Sequence, residues 1–408
     1  MSNIIRKEEL INLAQKLDIT PTMFKNATDK YTAIASYLQG VGLDCDIYPQ
    51  GSFSLGTVVR PYRNSEDQNY DLDFICKIKE TKDSTSPKEI KLKVRDLLLE
   101  NKTYEKILHK EEYDKCWTLE YADIGDVSFN IDIVPAVPED ILAIIKLQQS
   151  GVDSLKASKA VALTNKKGFH YDWYCSNPQG YKDWFDEINE PFLQYNKSQR
   201  LQKILQENRG LFNYIEDIPH ELDRSSLQRV IQLLKRHRDV YFSKLNNGDS
   251  LKPISAIITT LCAEIAKTAP YNLDVYDLLQ FIVKEFEIYS KNQIMNEAEF
   301  KSYYSNKTTI EKKQGKWQII NPVNPNDNLA DGWNNNPNLA KAFFSWINQV
   351  KTDFLSSMFT EDRSFIAALE NGLGYTFVNN NINKSKYTLI EPSVITSTHK
   401  PWGDKLND

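Results

Sequence analysis

The 408-residue sequence predicts an α+β protein of two lobes, a mixed β-sheet lobe followed by a mainly helical lobe, with a cleft between them. Three observations carry this reading. In the first 140 residues, short segments alternate apolar and polar side chains with period two, as half-buried strands do. From about Asp140 the spacing becomes mainly that of helices. The length itself favours two lobes over one core. The boundaries that follow are a sheet-bearing core with a spine helix over 1–140, a helical lobe over 141–375 and a tail over 376–408.

Thr20-Pro21-Thr22 opens the spine helix, whose apolar positions include Met23, Ala27, Tyr31, Ile34 and Leu38, and Gly40 ends it. A short strand over Leu43–Tyr48 leads into the small-residue turn Gln50-Gly51-Ser52-Phe53-Ser54-Leu55-Gly56-Thr57. Ser86-Pro87 starts a helix running towards Glu100. Cys116–Tyr121 reads as a strand able to pair antiparallel with the segment Ser128–Val134 across an Asp123-Ile124-Gly125-Asp126 turn, with Pro135 expected to end that second strand. Beyond Asp140, helices are expected near Ser198–Gln206, Ser225–Tyr241, Ser255–Lys267, Val275–Ile288 and Leu339–Met358. Asn379–Lys386 reads as a polar loop, and the tail from Ser393 is anchored at most by Trp402.

The chemistry lies in the alternation. In Tyr70-Asp71-Leu72-Asp73-Phe74, the residues Tyr70, Leu72 and Phe74 point to one side of a strand and Asp71 and Asp73 share the other. Adjacent carboxylates repel unless a cation lies between them, and a hard cation such as Mg²⁺ prefers one or two carboxylates plus substrate phosphates. Asp132 alternates in the same way between Ile131 and Ile133. Three acids on neighbouring strands suit a pair of metal ions that activate an attacking hydroxyl and neutralise a leaving pyrophosphate, so the implied reaction class is nucleotidyl transfer. A lone Asp-x-Asp is ordinarily a solvated strand face; the upstream Gly51-Ser52 and the downstream Asp132 argue against that reading here. Asp123 and Asp126 flank Gly125 in a turn, where aspartate is favoured for local hydrogen bonds, and are left out of the site.

The order Gly51-Ser52, Asp71-x-Asp73, Asp132 resembles the polymerase-beta-type nucleotidyltransferase superfamily, and more narrowly the bacterial cGAS/DncV-like nucleotidyltransferases, relatives of oligoadenylate synthases. Also similar to that family are Ser176-Asn177-Pro178-Gln179-Gly180-Tyr181 with Trp184-Phe185, the stretch Leu227–Arg238, and Asn321–Asn328, which is similar to an Asp-Pro-Ala-Asp-Pro stretch of oligoadenylate synthases. The resemblance implies a bilobed nucleotidyltransferase with its active site in the cleft. It implies that Asp71 and Asp73 hold two Mg²⁺ ions, with Mn²⁺ as a substitute, and that Asp132 binds the catalytic ion and helps deprotonate the acceptor ribose. It implies further that Gln50, Gly51 and Ser52 cradle phosphates, that Lys235 and Ser255 close on the triphosphate, and that Asn177 lines the nucleotide pocket. The substrates implied are nucleoside triphosphates, with ATP and GTP favoured; the product is a cyclic di- or trinucleotide that activates an effector in anti-phage defence, and a regulatory partner protein is left open.

Simpler readings stand beside these. Lys235, Arg236 and Arg238 form a basic run whose ordinary place is the solvated face of a helix, opposite Val230, Ile231, Leu233 and Leu234. Ser255, after Lys252-Pro253-Ile254, reads equally as a helix cap. A linear oligonucleotide synthase or an RNA- or protein-modifying transferase would use the same residues, and a scaffold of low turnover is a further class, distinguished by pyrophosphate release.

Rival motifs fail. Gly51 to Gly56 has P-loop spacing, but Thr57-Val58 stands where Lys and Ser/Thr are required. Ser54 sits in Ser52-Phe53-Ser54-Leu55-Gly56, one glycine short of a hydrolase nucleophile elbow, with no histidine close in sequence. The five cysteines are scattered without a Cys-x-x-Cys pair, so reduced thiols are expected and zinc-dependent DNA binding is not. The net charge of −5 agrees, since gripping duplex nucleic acid takes concentrated Lys and Arg. No apolar run approaches a membrane span and the first ten residues lack a signal-peptide core, so a cytoplasmic enzyme is expected.

Overall fold

The computed structural model describes residues 2–60, 62–63, 66–67, 70–121, 129–207 and 222–387. Asp123, Asp126 and Trp402 lie outside them. A six-stranded mixed sheet is built from β1 (Cys45–Pro49), β2 (Tyr70–Ile78), β3 (Trp117–Tyr121), β4 (Phe129–Pro138), β5 (Val161–Lys167) and β6 (His170–Ser176), in the order β1-β2-β4-β5-β6 with β3 also on β4. The β2–β4 pair is parallel and the remaining pairs are antiparallel.

One face of the sheet packs and the other carries the acids. Leu72, Phe74, Ile131 and Ile133 are buried under the spine helix Pro21–Gly40 and the helix Pro87–Glu100, which supply Ile34, Leu38, Ile90 and Val94 to the same core. Both helices begin as the sequence predicts: Thr20 and Ser86 accept the backbone N–H of the third helical residue, and proline occupies the first turn.

Three expectations about secondary structure are corrected. The chain does not turn helical for good at Asp140, because the β5–β6 hairpin continues the sheet; Val161–Asn165 is buried on both faces and so shows no alternation to read. Pro135 does not end its strand, which runs on to Pro138. It falls between Ile133, the last partner of β3, and Ala136, the first partner of β5, so that edge asks no N–H of it. The helix expected from Ser198 starts instead at Pro178 and runs through Pro191 to Glu207.

The helical lobe departs from expectation in two smaller places. Pro337–Val350 is followed by a π-helical turn over Lys351–Leu355 and a 3₁₀ turn over Ser356–Phe359, where one continuous helix is predicted. The polar stretch around Asn379 is the end of a helix, Tyr375–Asn381. A helix over Ser2–Lys16 buries Leu10, Leu13 and Ala14 in the helical-lobe core. Among the described residues no helix is long and apolar enough to cross a membrane.

The helical lobe is organised around the helix Ser226–Ser243, capped by Ser225. This central helix is buried on nearly every side, which corrects the reading of its basic run as solvated: Lys235, Arg236 and Arg238 are 4%, 2% and 8% exposed. Each finds a protein partner. Arg236 donates to Leu373 O at 2.8 Å and stacks on Tyr62 and Phe377. Gln228 and Gln232 donate to Leu55 O and Val58 O at 2.8 and 2.9 Å, and Lys235 to Thr57 Oγ1 at 3.0 Å. Residues 228, 232 and 235 share one face of the helix, so the helical lobe grips the end of the small-residue turn through a row of polar contacts.

Gly56 makes that close approach possible. Its φ is +64°, and a Cβ there would lie 2.5 Å from Gln228 Nε2. Gly56→Ala is expected to destabilise the protein by about 2 kcal/mol through left-handed backbone strain and this clash, read as a lowered thermal midpoint with unchanged far-ultraviolet dichroism.

Candidate active site

The segment Gln50–Thr57 forms a single helical turn, Gly51–Ser54, directly after β1. Gln50 N donates to Asp73 O at 2.9 Å, which ties the turn to the acid-bearing strand. Gly51, at φ +63°, stands so close that a Cβ would lie 3.0 Å from Asp73 Oδ2. Glycine is required there twice over, by backbone conformation and by space.

Asp73 and Asp132 face each other across the parallel β2–β4 ladder, and Asp71 lies opposite Asn130. The antiparallel β3–β4 pairing extends both rows by one strand, placing Thr118 opposite Asp132. The Thr118 hydroxyl donates to Asp132 Oδ1, and Asn130 Nδ2 donates to Asp71 Oδ1 at 3.3 Å. Two rows of oxygen-rich side chains therefore cross three strands on one open face.

Burial, then the nearby charges of Asp132 and Asp71, pushes the Asp73 carboxyl up to about 7. Burial likewise raises Asp132, Asp71 adds to it, and the Thr118 hydrogen bond opposes it. Carboxylates crowded in this way favour a hard divalent cation with phosphate oxygens completing its shell. Among the described residues no three His, Cys, Asp or Glu side chains converge as a preformed ligand set. The donor chemistry of Asp71, Asp73 and Asp132 fits a metal-nucleotide more closely than a metal held by protein alone.

A cleft of about 680 Å³ opens in front of Asp71 and Asp73, with Gly51 and Ser52 on one wall and Lys235, Arg238 and Lys252 also lining it. Carboxylates and cations thus border the same space. Burial lowers the Lys235 ammonium to about 7, with the Arg238 guanidinium as the next cause. Arg238 is clamped by Asp239 at 2.8 Å, by Pro253 O at 3.1 Å and by Ser255 Oγ at 2.9 Å.

The remaining candidates are placed less directly. Ser255 lines the cleft as the first residue of the helix Ser255–Ala266; Ile254 holds the cap position, so Ser255 is a partner of Arg238 and not a helix cap. Asn177 also borders the cleft, but its amide already donates to Lys156 O and accepts from Gly180 N, both at 2.9 Å, so it caps the helix Pro178–Glu207. Gln50 positions the turn through its backbone. Sequence reasoning did not name Thr57, Thr118, Arg238 or Asp327 as site residues, although Thr57, Arg238 and Asp327 lie in stretches it singled out; for Thr118 the signal was the antiparallel pairing of its strand with the Asp132 strand, which sets it opposite Asp132.

A mixed sheet presenting acids beside a glycine turn, roofed by a helical lobe that contributes cations, defines a nucleotidyltransferase. A family model described as "Cyclic GMP-AMP synthase DncV-like, nucleotidyltransferase domain" matches residues 45–135, from β1 into the Asp132 strand. Over 354 residues the chain is 30% identical to the c-di-GMP synthase of Roseivirga ehrenbergii, covering 85% of this chain and 78% of that protein. Two solved structures share the fold. The Bradyrhizobium diazoefficiens CD-NTase CdnG in complex with GTP has a TM-score of 0.63 at 16% identity, covering 91% of this chain and 97% of that one. Escherichia coli MS115-1 CdnC in its complex with HORMA-deltaN has a TM-score of 0.56 at 12% identity, with the same coverage of 91% and 97%. The chain belongs to the bacterial cGAS/DncV-like nucleotidyltransferases, and it is an enzyme of the cyclic oligonucleotide synthase class.

Two outcomes are expected at this site. The raised Asp73 pKa means that its stabilising contribution is complete below about pH 4 and is lost as pH rises through about 7. Asp73→Asn should therefore exceed the wild type in metal-free stability at pH 8, by roughly 2 kcal/mol after screening, the gap closing towards pH 4 in denaturant titrations. Thr118→Val should lower turnover about tenfold with little change in KM, as loss of a partner that orients a reacting carboxylate does, whereas Thr118→Ser keeps it.

Proposed function

We propose that this enzyme joins purine nucleoside triphosphates, GTP foremost, into a cyclic dinucleotide by two successive nucleotidyl transfers at one centre. The observation that carries the reading is the meeting of Asp71 and Asp73 with Gly51, Ser52 and the cations Lys235, Arg238 and Lys252 around one cleft. The preference for GTP draws on the c-di-GMP synthase relative. A cyclic trinucleotide, or a product including ATP, uses the same centre.

In each transfer the ribose hydroxyl of one nucleotide attacks the α-phosphorus of the other. A P–O bond forms, the bond between the α- and β-phosphates breaks, and pyrophosphate leaves. Asp132, held by Thr118, accepts the hydroxyl proton. Divalent cation held by Asp71, Asp73 and Asp132, Mg²⁺ with Mn²⁺ as a substitute, supplies charge neutralisation of the triphosphate when bound. Gly51 and Ser52 seat the phosphates against the acid strand, with Gln50 fixing the turn. Lys235 and Arg238 oppose the phosphate charge from the helical lobe, Ser255 keeps Arg238 in place, and Asn177 shapes the pocket wall. For the second transfer the linear intermediate turns around so that its remaining triphosphate becomes the donor.

The product in this reading is a second messenger for anti-phage signalling in the cytoplasm, sensed by a cyclic-nucleotide-activated effector. A regulatory partner protein is in keeping with the HORMA complex of the CdnC neighbour.

The test incubates purified protein with Mg²⁺ and labelled ATP, GTP, CTP and UTP, singly and together, then applies phosphatase and mass analysis. A phosphatase-resistant product containing guanine is expected, reduced at least about 100-fold in Asp71→Asn/Asp73→Asn, since both carboxylates act on the transition state. Phosphatase-sensitive linear product alone would overturn cyclisation, and a product without purines would overturn the substrate assignment.

A further inference from the structure

The last strand of the sheet, β6, has one neighbouring strand. It ends the order β1-β2-β4-β5-β6, and its seven residues pair with β5 alone. Gly168, at φ +61°, opens the two-residue turn that joins these strands, so the flanking pair Lys167–His170 is hydrogen-bonded and bonded pairs alternate from there. Lys166 agrees with this phase: its N–H faces away from β6 and donates to Asp114 O at 2.8 Å. On β6 the N–H and C=O groups of Tyr171, Trp173 and Cys175 therefore point outward, where no described strand meets them.

An edge of this length is ordinarily blunted by lysine, proline or a bulge. His170-Tyr171-Asp172-Trp173-Tyr174-Cys175-Ser176 carries none of these, and its register with β5 is unbroken. The opposite edge, β1, is shorter and finishes at Pro49. Two exposed apolar side chains flank β6. Phe169, in the β5–β6 turn, is 99% exposed, and Leu155, in the short helix Ser154–Ala157, is 74% exposed. They stand at opposite ends of the strand, because Asn177, just past Ser176, donates from Nδ2 to Lys156 O at 2.9 Å.

We propose that β6 pairs antiparallel with β6 of a second copy of this chain, about a two-fold axis at Trp173. This register matches Trp173 with itself and Tyr171 with Cys175 of the other copy, so all three outward-facing residues find bonding partners. It sets Asp172 opposite Tyr174 of the other copy, whose ring centroid lies 3.7 Å from the Lys115 ammonium, a complementary charge. It also carries Phe169 opposite Asn177 of the other copy, at the end of the edge where Leu155 stands. Sliding the pair by one bonding step towards the turn would place Asp172 directly against Asp172, which like charges oppose. The two-fold axis keeps Asp71, Asp73 and Asp132 of both copies on one face of a continuous sheet, so both clefts open on the same side. The pairing stands independently of the synthase reading.

A ladder of one short strand is small against the roughly 1,200–2,000 Å² of a stable interface, so a dissociation constant of about 10 µM is expected. Sedimentation of the full chain between about 1 and 100 µM brackets that value. A reversible monomer–dimer equilibrium is the expected result; a monomer throughout overturns the proposal and leaves β6 to an extended peptide of another protein. Asp172→Lys should weaken the dimer at least about tenfold, because it faces Lys115 of the other copy with a like charge. Phe169→Asp should weaken it by a similar factor. Both side chains are exposed, so both variants should keep the wild-type thermal midpoint. Weakening by both supports the register proposed, and a dimer that either folded variant leaves unmoved uses another surface and overturns it.

Discussion

The grip of the central helix on the segment Leu55–Val58 is the constraint on which the rest of the site depends. Gln228, Gln232 and Lys235 stand on one helical face and bond to Leu55, Val58 and Thr57, one lobe holding another through side chain to backbone. Backbone carbonyls in a buried loop must be satisfied, and here the partners come from the opposite lobe. That attachment brings Lys235 to the cleft that Asp71 and Asp73 also line, while the bond from Gln50 N to Asp73 O sets Gly51 against the acid strand. A helix this deeply buried does not shift without moving the turn, so the cleft walls are set by the core as a whole.

Charge in the cleft is divided between the lobes. The sheet contributes carboxylates, among which burial and then the charges of Asp132 and Asp71 raise Asp73, and the helical lobe contributes cations that are buried or clamped by Asp239. Each half is unfavourable alone, since crowded like charges and buried cations both resist desolvation. A metal-bound triphosphate carries the complementary charges for both. The outer shell of this arrangement is uncharged: Thr118 and Asn130 hold the acids by hydrogen bonds.

The sheet face bearing the acids was legible because it has only one buried side. Tyr70, Leu72 and Phe74 alternate with Asp71 and Asp73, and the structure has them on opposite faces as alternation requires. Where both faces are buried, as at Val161–Asn165, the pattern vanishes and the hairpin goes unseen. The basic run of the central helix misled for a related reason: hydrophobic periodicity treats charge as a sign of water, whereas Arg236 is bonded to Leu373 O and sandwiched by rings contributed by distant segments. Thr57, Arg238 and Asp327 border the cleft beside residues far away in the chain; the stretches that hold them were singled out, but local sequence does not show which of their side chains meet there.

Lys235 is an amine that burial, and then the Arg238 guanidinium, brings to lose its proton near neutrality, with Asp239 opposing. In the function proposed above, phosphate oxygens brought to it favour the ammonium again, which couples substrate capture to proton uptake from solvent. The heat of nucleotide binding then contains the ionisation enthalpy of whatever buffer donates that proton. In that reading the charge at Lys235 is completed by the substrate.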